Sequence, residues 1–335
     1  MRLIIQIPCY NEAKTLPHVI STIPKEILNI SNLELLIIDD GSTDNTVAVA
    51  RQLGVHHIIR HPRNRGLAAT FQTGLEACLR LGADIVVNTD GDNQYPGSEI
   101  PRLIEPILRG EADIVIGDRQ THQITHFSPL KRVLQGWGSW VVRQASNTSV
   151  PDATSGFRAF SREAALRLTI LTRYTYTLET LIQAGKKGLI VAHIPIEVND
   201  PLRESRLIKN TWSYIKHSAA TILRIYALYE PFRTFIYLSL PFLLIGLILL
   251  GRFAIIYFTG GSGVGRYVQS VIYGGTSLTI GFLLIILGIV GDLIAANRMI
   301  LEEMLYRLKR QEFDQASELH LKHLKQKPPL DGNGR

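Results

Sequence analysis

Cysteine is scarce: only two occur in 335 residues, Cys9 and Cys78. They lack the spacing of a metal knuckle, which excludes both a disulfide-stapled miniprotein and a cysteine-rich metal domain. Charged residues make up 19% of the chain, below the quarter or so typical of soluble domains. With 46% hydrophobic residues, the chain has material for a proper core and is not disordered. There is no GxGxxG after the first apolar run and no GxxxxGK[ST] anywhere, so neither a dinucleotide fold nor a P-loop is indicated. His122 and His126 stand four apart without an HExxH pattern and read as loop residues. Basic residues outnumber acidic ones 36 to 29, a net charge of +7. No nucleic-acid motif with interleaved aromatics accompanies that excess, so no nucleic-acid partner is expected. The opening MRLIIQIPCYNE holds too short an apolar stretch for a signal peptide and reads as a first strand.

What is present in excess is apolar sequence after residue 233. From Thr234 the run TFIYLSLPFLLIGLILLG continues past Arg252 to Phe258, and a second run lies between Val268 and Gly291. Roughly 20 apolar residues suffice to cross a bilayer, so a hairpin of two transmembrane helices is expected over 234–296, at about 234–258 and 268–291. Arg203, Arg206, Lys209, Lys216, Arg224 and Arg233 precede it, Arg298, Arg307, Lys309 and Arg310 follow it, and the connecting loop has only Arg266. That asymmetry predicts an integral protein of the cytoplasmic membrane with both termini and the preceding body in the cytoplasm. Arg252 and Asp292 sit near the expected span ends, where a charge snorkels to the interface.

Before the hairpin the pattern alternates. Strands are expected at Leu3–Pro8, Glu34–Asp39, His57–Arg60, Asp84–Thr89 and Asp113–Gly117. Helices are expected between them at Ala13–Ile23, Val47–Leu53, Gly66–Leu81 and Ser98–Arg109. Such alternation argues for an α/β fold around a mostly parallel sheet, with ligands gathered at the carboxyl ends of the strands. Those ends are rich in polar groups: Cys9-Tyr10-Asn11-Glu12, Asp39-Asp40-Gly41-Ser42, Asp90-Gly91-Asp92-Asn93-Gln94 and Asp118-Arg119. In TDGDNQYP two carboxylates one residue apart can share a hard divalent cation, with the Gln94 amide completing the set. Mg²⁺ or Mn²⁺ held in this way typically bridges substrate phosphates.

The combination PCYNE, IIDDGSTDNT, NRGLAAT and TDGDNQYP resembles the GT-A glycosyltransferases of family 2 over residues 1–230. Further stretches, namely GDR at 117–119, SPLKR at 128–132, DATSGFRAFSREAA at 152–165, YTLE at 176–179 and RESRL at 203–207, are similar to the polyprenyl-phosphate sugar synthases. That group contains dolichol-phosphate mannosyltransferase, and many bacterial members carry two membrane helices at the carboxyl end.

The resemblance implies a GT-A, Rossmann-like catalytic domain over 1–208, an amphipathic juxtamembrane helix over 209–233, the hairpin, and a cytoplasmic tail over 297–335. It implies that Pro8, Tyr10, Asn11, Glu12 and Asp40 hold the nucleoside of a nucleotide-sugar donor, with Asp90, Gly91 and Arg203 on the same ligand. Asp90, Asp92 and Gln94 would hold Mg²⁺ or Mn²⁺. Arg119, Lys131 and Arg132 would face the phosphate of a polyprenyl phosphate, and Asp92 and Arg119 would be the catalytic pair.

The reaction so implied is inverting transfer of one sugar from a UDP- or GDP-sugar to the lipid phosphate at the cytoplasmic face. A monophosphate is already an anion at pH 7 and attacks without a general base; Asp92 or Glu179 would serve if one were needed. Two other readings stay open, a membrane glycosyltransferase with another lipid or glycan acceptor and a catalytically idle membrane scaffold. A processive synthase is disfavoured, because no QxxRW is present. Partners beyond the donor, the acceptor and membrane lipids are open, a homo-oligomer included. Trp212, Ile215, Ala219, Ile222, Tyr226 and Tyr229 fall on one face of 209–230, as an interfacial helix requires. Lys131–Arg143, with Trp137 and Trp140, is a second membrane-touching candidate. The polar stretch from Ser317 to Arg335 reads as a disordered end.

Overall fold

The computed structural model describes residues 1–120, 148, 150–170, 176–199, 227, 229–259 and 268–326, with side chains as far as residue 316. The chain divides into two compact units, Met1–Ala219 with Leu305–Arg335, and Ala220–Met304.

The first unit is built on strands β1 (Arg2–Cys9), β2 (Asn32–Asp39), β3 (His57–Arg60), β4 (Ile85–Asn88), β5 (Ile114–Asp118), β6 (Arg158–Ser161) and β7 (Val191–Pro195). Its helices are α1 (Leu16–Ser21), α2 (Thr46–Gln52), α3 (Leu67–Arg80), α4 (Ile100–Leu108), α5 (Arg162–Arg167) and α6 (Tyr176–Lys186). The sheet runs β3-β2-β1-β4-β6-β5-β7. All pairings are parallel except those of β6 with β4 and β5. All eight residues of β1 are buried, as expected of a central strand covered on both faces, where a continuous apolar run replaces alternation.

The five strands expected from the sequence all form, within two residues of their expected ends. Helix α2 keeps its expected seven residues, one position earlier, and the other three are shorter than expected: α1 begins at Leu16, with Pro17 in its first turn, and α4 begins at Ile100, with Pro101 in the same place. Proline is tolerated there because the first turn has no use for its missing N–H.

Chain order and sheet order part company twice: β6 lies between β4 and β5, and the order reverses beside β1. From β1 the chain passes to β2 on one side, whereas β4 pairs with the other edge of β1, Gln6 opposite Asn88. A reversal of this kind opens a crevice beyond the carboxyl ends of the two strands. Here those ends lead into Tyr10–Glu12 and Thr89–Gln94.

The second unit contains most of two long apolar helices, α7 (Pro231–Phe258) and α8 (Val268–Gln326). Both are long and apolar enough to cross a membrane, and only 11% of each most apolar window is buried. A core helix would be buried on most of its surface, so these are not core helices. They pack on each other where glycine permits: a Cβ at Gly246 would lie 2.7 Å from Leu278, and one at Gly281 would lie 2.6 Å from Leu243. Ser277 Oγ donates to the Phe242 carbonyl at 2.7 Å across the same contact.

The tail expected over 297–335 is helical in its described part. Helix α8 continues to Gln326, because the residues after Gly291 include no glycine or proline before Pro328 and are rich in strong helix formers. From Leu305 onward it belongs to the first unit, where Phe313 is 2% exposed. Residues 327–335 lie outside the described residues, as do the membrane-touching candidate 131–143 and most of the juxtamembrane helix 209–233.

Candidate active site

The loop after β1 is shaped by its own polar groups. Asn11 adopts a positive φ of 56°, which asparagine tolerates better than most residues. Its backbone N–H donates to Ser42 Oγ at 2.8 Å, and its Oδ1 accepts from the backbone of Thr43 at 2.8 Å and of Asp44 at 3.3 Å. The side-chain oxygen of Asn11 therefore ties the β1 loop to the β2 loop. Glu12 is 6% exposed; its N–H donates to Thr46 Oγ1 at 2.9 Å, and its Oε2 lies 2.8 Å from Thr15 Oγ1. Thr15 Oγ1 also lies 2.6 Å from the Gly91 carbonyl. Tyr10, between them, is 38% exposed.

Asp40 has a committed carboxylate. It takes the ring Nδ1 of His61 at 2.8 Å and the backbone N–H groups of Arg65 and Gly66 at 2.9 and 2.8 Å. Burial works against its charge, but these bonds hold its pKa below the ordinary carboxylate range. Asp40 thus anchors the segment leading into α3. Asp39 is fully buried, accepts from Ser42 N–H at 3.3 Å, and is met by Arg60 Nε at 3.2 Å.

Beyond β4 the Asp-Gly-Asp loop lies against the end of β1. A Cβ at Gly91 would be 3.1 Å from Cys9 Sγ and 3.3 Å from the Pro8 carbonyl. Asp92 Oδ1 accepts from Gln94 N–H at 3.1 Å, a local turn that leaves Oδ2 uncommitted among the described residues. Asn93 has a φ of 65°. Asn199 holds the loop from the far side, its Nδ2 donating to the Asn93 carbonyl and its N–H to the Gln94 carbonyl, at 2.9 and 3.0 Å.

The floor beneath Asp90 was not foreseen from the sequence. Gln6 Nε2 donates to Asn88 Oδ1, and Asn88 Nδ2 donates to the Gly156 carbonyl and Tyr176 Oη, each at 2.9 Å. Tyr176 stacks on Phe71 at 4.0 Å, and Tyr95 stacks on Phe157 at 5.2 Å while accepting from Gly156 N–H at 3.2 Å. Gly156 is pressed so closely that a Cβ would come within 2.9 Å of Asp90 Oδ2 and 3.1 Å of Tyr176 Oη. Only glycine fits.

Arg119 follows β5, but it is not simply free for a ligand. Its Nε and Nη2 fork onto Asp152 Oδ2 and Oδ1 at 2.7 and 3.0 Å, and Nη2 also donates to Thr154 Oγ1 at 2.7 Å. Burial opposes the charge, yet Tyr95 and Asp152 raise its pKa. Asp152 suffers the same burial and is held below the usual carboxylate range by Arg119.

Arg158, in the middle of the sheet, is fully buried. It donates to the carbonyls of Ala153, Ser155 and Thr177 at 2.8 Å each and to Thr180 Oγ1 at 2.7 Å. Burial lowers its pKa to about 10. DATSGFRAFSREAA contains Asp152, Thr154, Gly156 and Arg158, but nothing local in it says that Arg158 faces inward. Glu179 is 2% exposed on α6 and accepts from Gln183 at 3.3 Å, as a packed helix residue does. Arg203, Lys131, Arg132, His122 and His126 lie outside the described residues.

The fit of a divalent cation can be tested on the donor set. No cluster of three or more His, Cys, Asp or Glu side chains suited to a metal exists among the described residues. What the loop does offer is two carboxylates, Asp90 and Asp92, flanked by Thr89 Oγ1 and Asn93 Oδ1, buried oxygens that have no hydrogen-bond partner among the described residues. An all-oxygen set with few carboxylates suits Mg²⁺ or Mn²⁺ that completes its shell from substrate phosphates, and does not suit an all-protein cage. The residues fit such a cation.

The family model described as "Glycosyl transferase family 2" matches residues 4–169. UDP-N-acetylglucosamine–dolichyl-phosphate N-acetylglucosaminyltransferase of Methanococcus voltae is 31% identical over 215 residues, 57% of this chain and 83% of the relative. Polyprenol monophosphomannose synthase of Mycolicibacterium smegmatis is 26% identical over 228 residues, 65% of this chain and 84% of the relative. Among solved structures, glucosyl-3-phosphoglycerate synthase from Mycobacterium tuberculosis with Mn²⁺, UDP-glucose and phosphoglyceric acid superposes with a TM-score of 0.55. It is 23% identical, and the match covers 68% of this chain and 80% of that one, a likeness of fold.

Proposed function

The chain belongs to glycosyl transferase family 2, and on that footing we propose that it transfers a single sugar from a UDP- or GDP-sugar to a polyprenyl phosphate, at the cytoplasmic face of the membrane. The observation that carries the reading is the Asp90-Gly91-Asp92 loop, seated at the reversal of strand order and pressed from below by Gly156. Two relatives support the acceptor: their names specify different sugars, yet dolichyl phosphate and polyprenol monophosphate both describe an isoprenoid phosphate. The apolar helices α7 and α8 supply the membrane setting in which such an acceptor resides.

In the proposed reaction a phosphate oxygen of the lipid attacks the anomeric carbon, and the bond from that carbon to the nucleoside diphosphate breaks with its electron pair. Configuration inverts. The protein supplies no base, because the nucleophile is already ionised; its task is to align two anions that repel each other. Asp90 and Asp92, with Gln94, would hold Mg²⁺ or Mn²⁺, which supplies charge neutralisation for the leaving diphosphate. Tyr10, at the mouth of the β1 loop, is placed to cover the nucleoside, while Asn11, Glu12 and Asp40 shape the walls behind it through their bonds to neighbouring loops. Arg119 presents a guanidinium toward the lipid phosphate, and Arg203, Lys131 and Arg132 are assigned to the two phosphate groups by resemblance alone.

The test is direct. Detergent-purified protein is incubated with Mg²⁺ or Mn²⁺, undecaprenyl phosphate and a panel of labelled UDP- and GDP-sugars, and label is followed into the organic phase, with Asp92→Asn as control. Transfer from one donor that needs both the metal and Asp92 is the expected outcome. Nucleotide binding without lipid labelling would overturn the acceptor, and absence of both would favour a scaffold.

A further inference from the structure

The guanidinium of Arg119 is committed on one edge only. Nε and Nη2 make three hydrogen bonds to Asp152 and Thr154, whereas Nη1 makes none among the described residues. The Arg119 side chain is 13% exposed, beside an Asp152 side chain that is 2% exposed. A planar fork gripped side-on cannot rotate, and its remaining two N–H bonds point in one fixed direction.

The grip is itself anchored. Arg158 holds the carbonyls of Ala153 and Ser155 on either side of Thr154. Asp152 Oδ1 folds back to accept from Thr154 N–H at 3.2 Å and Thr154 Oγ1 at 2.9 Å. The loop that carries both of Arg119's partners is therefore pinned from below by a buried cation whose own acceptors include no carboxylate.

We propose that Asp152 is a positioning residue which, with Thr154, holds Arg119 side-on so that Nη1 is presented to a phosphate oxyanion, that of the lipid acceptor. The inference rests on the proposed transfer to a polyprenyl phosphate and adds the group that orients the phosphate ligand. The pairing keeps Arg119 charged in a buried place, and it leaves only the outer end of the guanidinium for a ligand. A phosphate on the nucleotide donor has the same chemistry, and the two sources are separated by experiment.

Full-length wild type, Asp152→Asn, Thr154→Val, Arg119→Gln and the Asp152→Asn/Arg119→Gln double variant are titrated in detergent with two probes. One is farnesyl phosphate; the other is whichever of UDP or GDP the wild type binds with Mn²⁺. Asp152→Asn is expected to weaken farnesyl phosphate about 10-fold or more, the scale of a hydrogen bond to a charged group, and Thr154→Val to weaken it in the same direction. Nucleotide binding should stay within about twofold, and the double variant should bind farnesyl phosphate no more weakly than Arg119→Gln alone, since a residue acting only through Arg119 is not additive with its loss. Intact nucleotide binding also certifies that each variant is folded.

Unchanged farnesyl phosphate binding in Asp152→Asn, additive losses, or equal losses for both probes would overturn the proposal. So would a wild type that does not bind farnesyl phosphate. A loss confined to the nucleotide would overturn it by assigning the fork to the donor. If binding behaves as expected but no sugar reaches the lipid, the positioning role stands and the proposed reaction falls.

Discussion

The ammonium of Lys309 donates to the carbonyl of Leu168 at 3.3 Å and to Thr169 Oγ1 at 3.1 Å. One turn to either side, Tyr306 Oη donates to Glu163 at 2.9 Å and Phe313 lies buried beneath Arg80, whose Cζ sits 5.6 Å from the ring centroid. Residues that follow the second apolar run by sequence are thus part of the first unit's fold. Phe313→Ala should destabilise that unit by about 3–5 kcal/mol, the usual cost of emptying a buried phenylalanine site. Thermal unfolding of the detergent-solubilised protein measures it; an unchanged midpoint would show that the segment contributes nothing to the fold.

Gly156 offers a second test, because its backbone touches the group that matters most. The methyl of Gly156→Ala would fall 2.9 Å from Asp90 Oδ2, so the carboxylate must move. Displacements of about an ångström at a reacting centre cost on the order of 100-fold in rate. Sugar transfer should fall by that order, and Mn²⁺-dependent nucleotide binding should weaken with it while metal-free nucleotide binding persists. Full activity in this variant would mean that Asp90 does not need its present position.

Asp40→Asn probes the loop between β3 and α3. The carboxylate accepts from two backbone N–H groups and from His61, and exchange for an amide leaves at least one of these donors facing another donor. A loss of about 1–3 kcal/mol is expected, read as a lower urea midpoint. Tighter nucleotide binding or unchanged stability would contradict the anchoring role.

Glu34 sets a pH dependence far from the crevice. Burial alone would raise its pKa, but hydrogen bonds from His57 and Arg2 bring it from 4.5 down to about 2. A group depressed in the folded state contributes stability that is fully present above its unfolded pKa and is lost as pH falls through the folded one. Wild type should therefore lose stability between about pH 4.5 and pH 2, and Glu34→Gln should lose less over that interval. Denaturant titrations at stepped pH decide the matter; parallel curves for the two proteins would remove Glu34 as the cause.

Much of this molecule was legible in its letters. The eight-residue β1 and the acids after β2 and β4 could be read because a buried parallel strand is a local apolar run and its carboxyl end is where polarity returns. The apolar helices were equally plain, for length and absence of charge need no tertiary information. Strand β6 was not legible: RAFS carries Arg158 at a fully buried position, and a charged residue in a four-residue segment reads as surface. What makes its burial tolerable is four acceptors, three of them backbone carbonyls, supplied from residues 153–180.

Periodicity and composition alone determined that an α/β sheet precedes two apolar spans, and that paired carboxylates stand at the end of the fourth strand. These are local properties, written in neighbouring residues. Only the tertiary structure decided which of the polar groups are spent and which are available. Asp40 is consumed by residues 21–26 positions away, Arg119 is half consumed by Asp152, 33 positions away, and Gly156 meets Asp90 across 66 residues of chain. A hydrogen bond depends on distance and direction in space, and sequence separation carries neither.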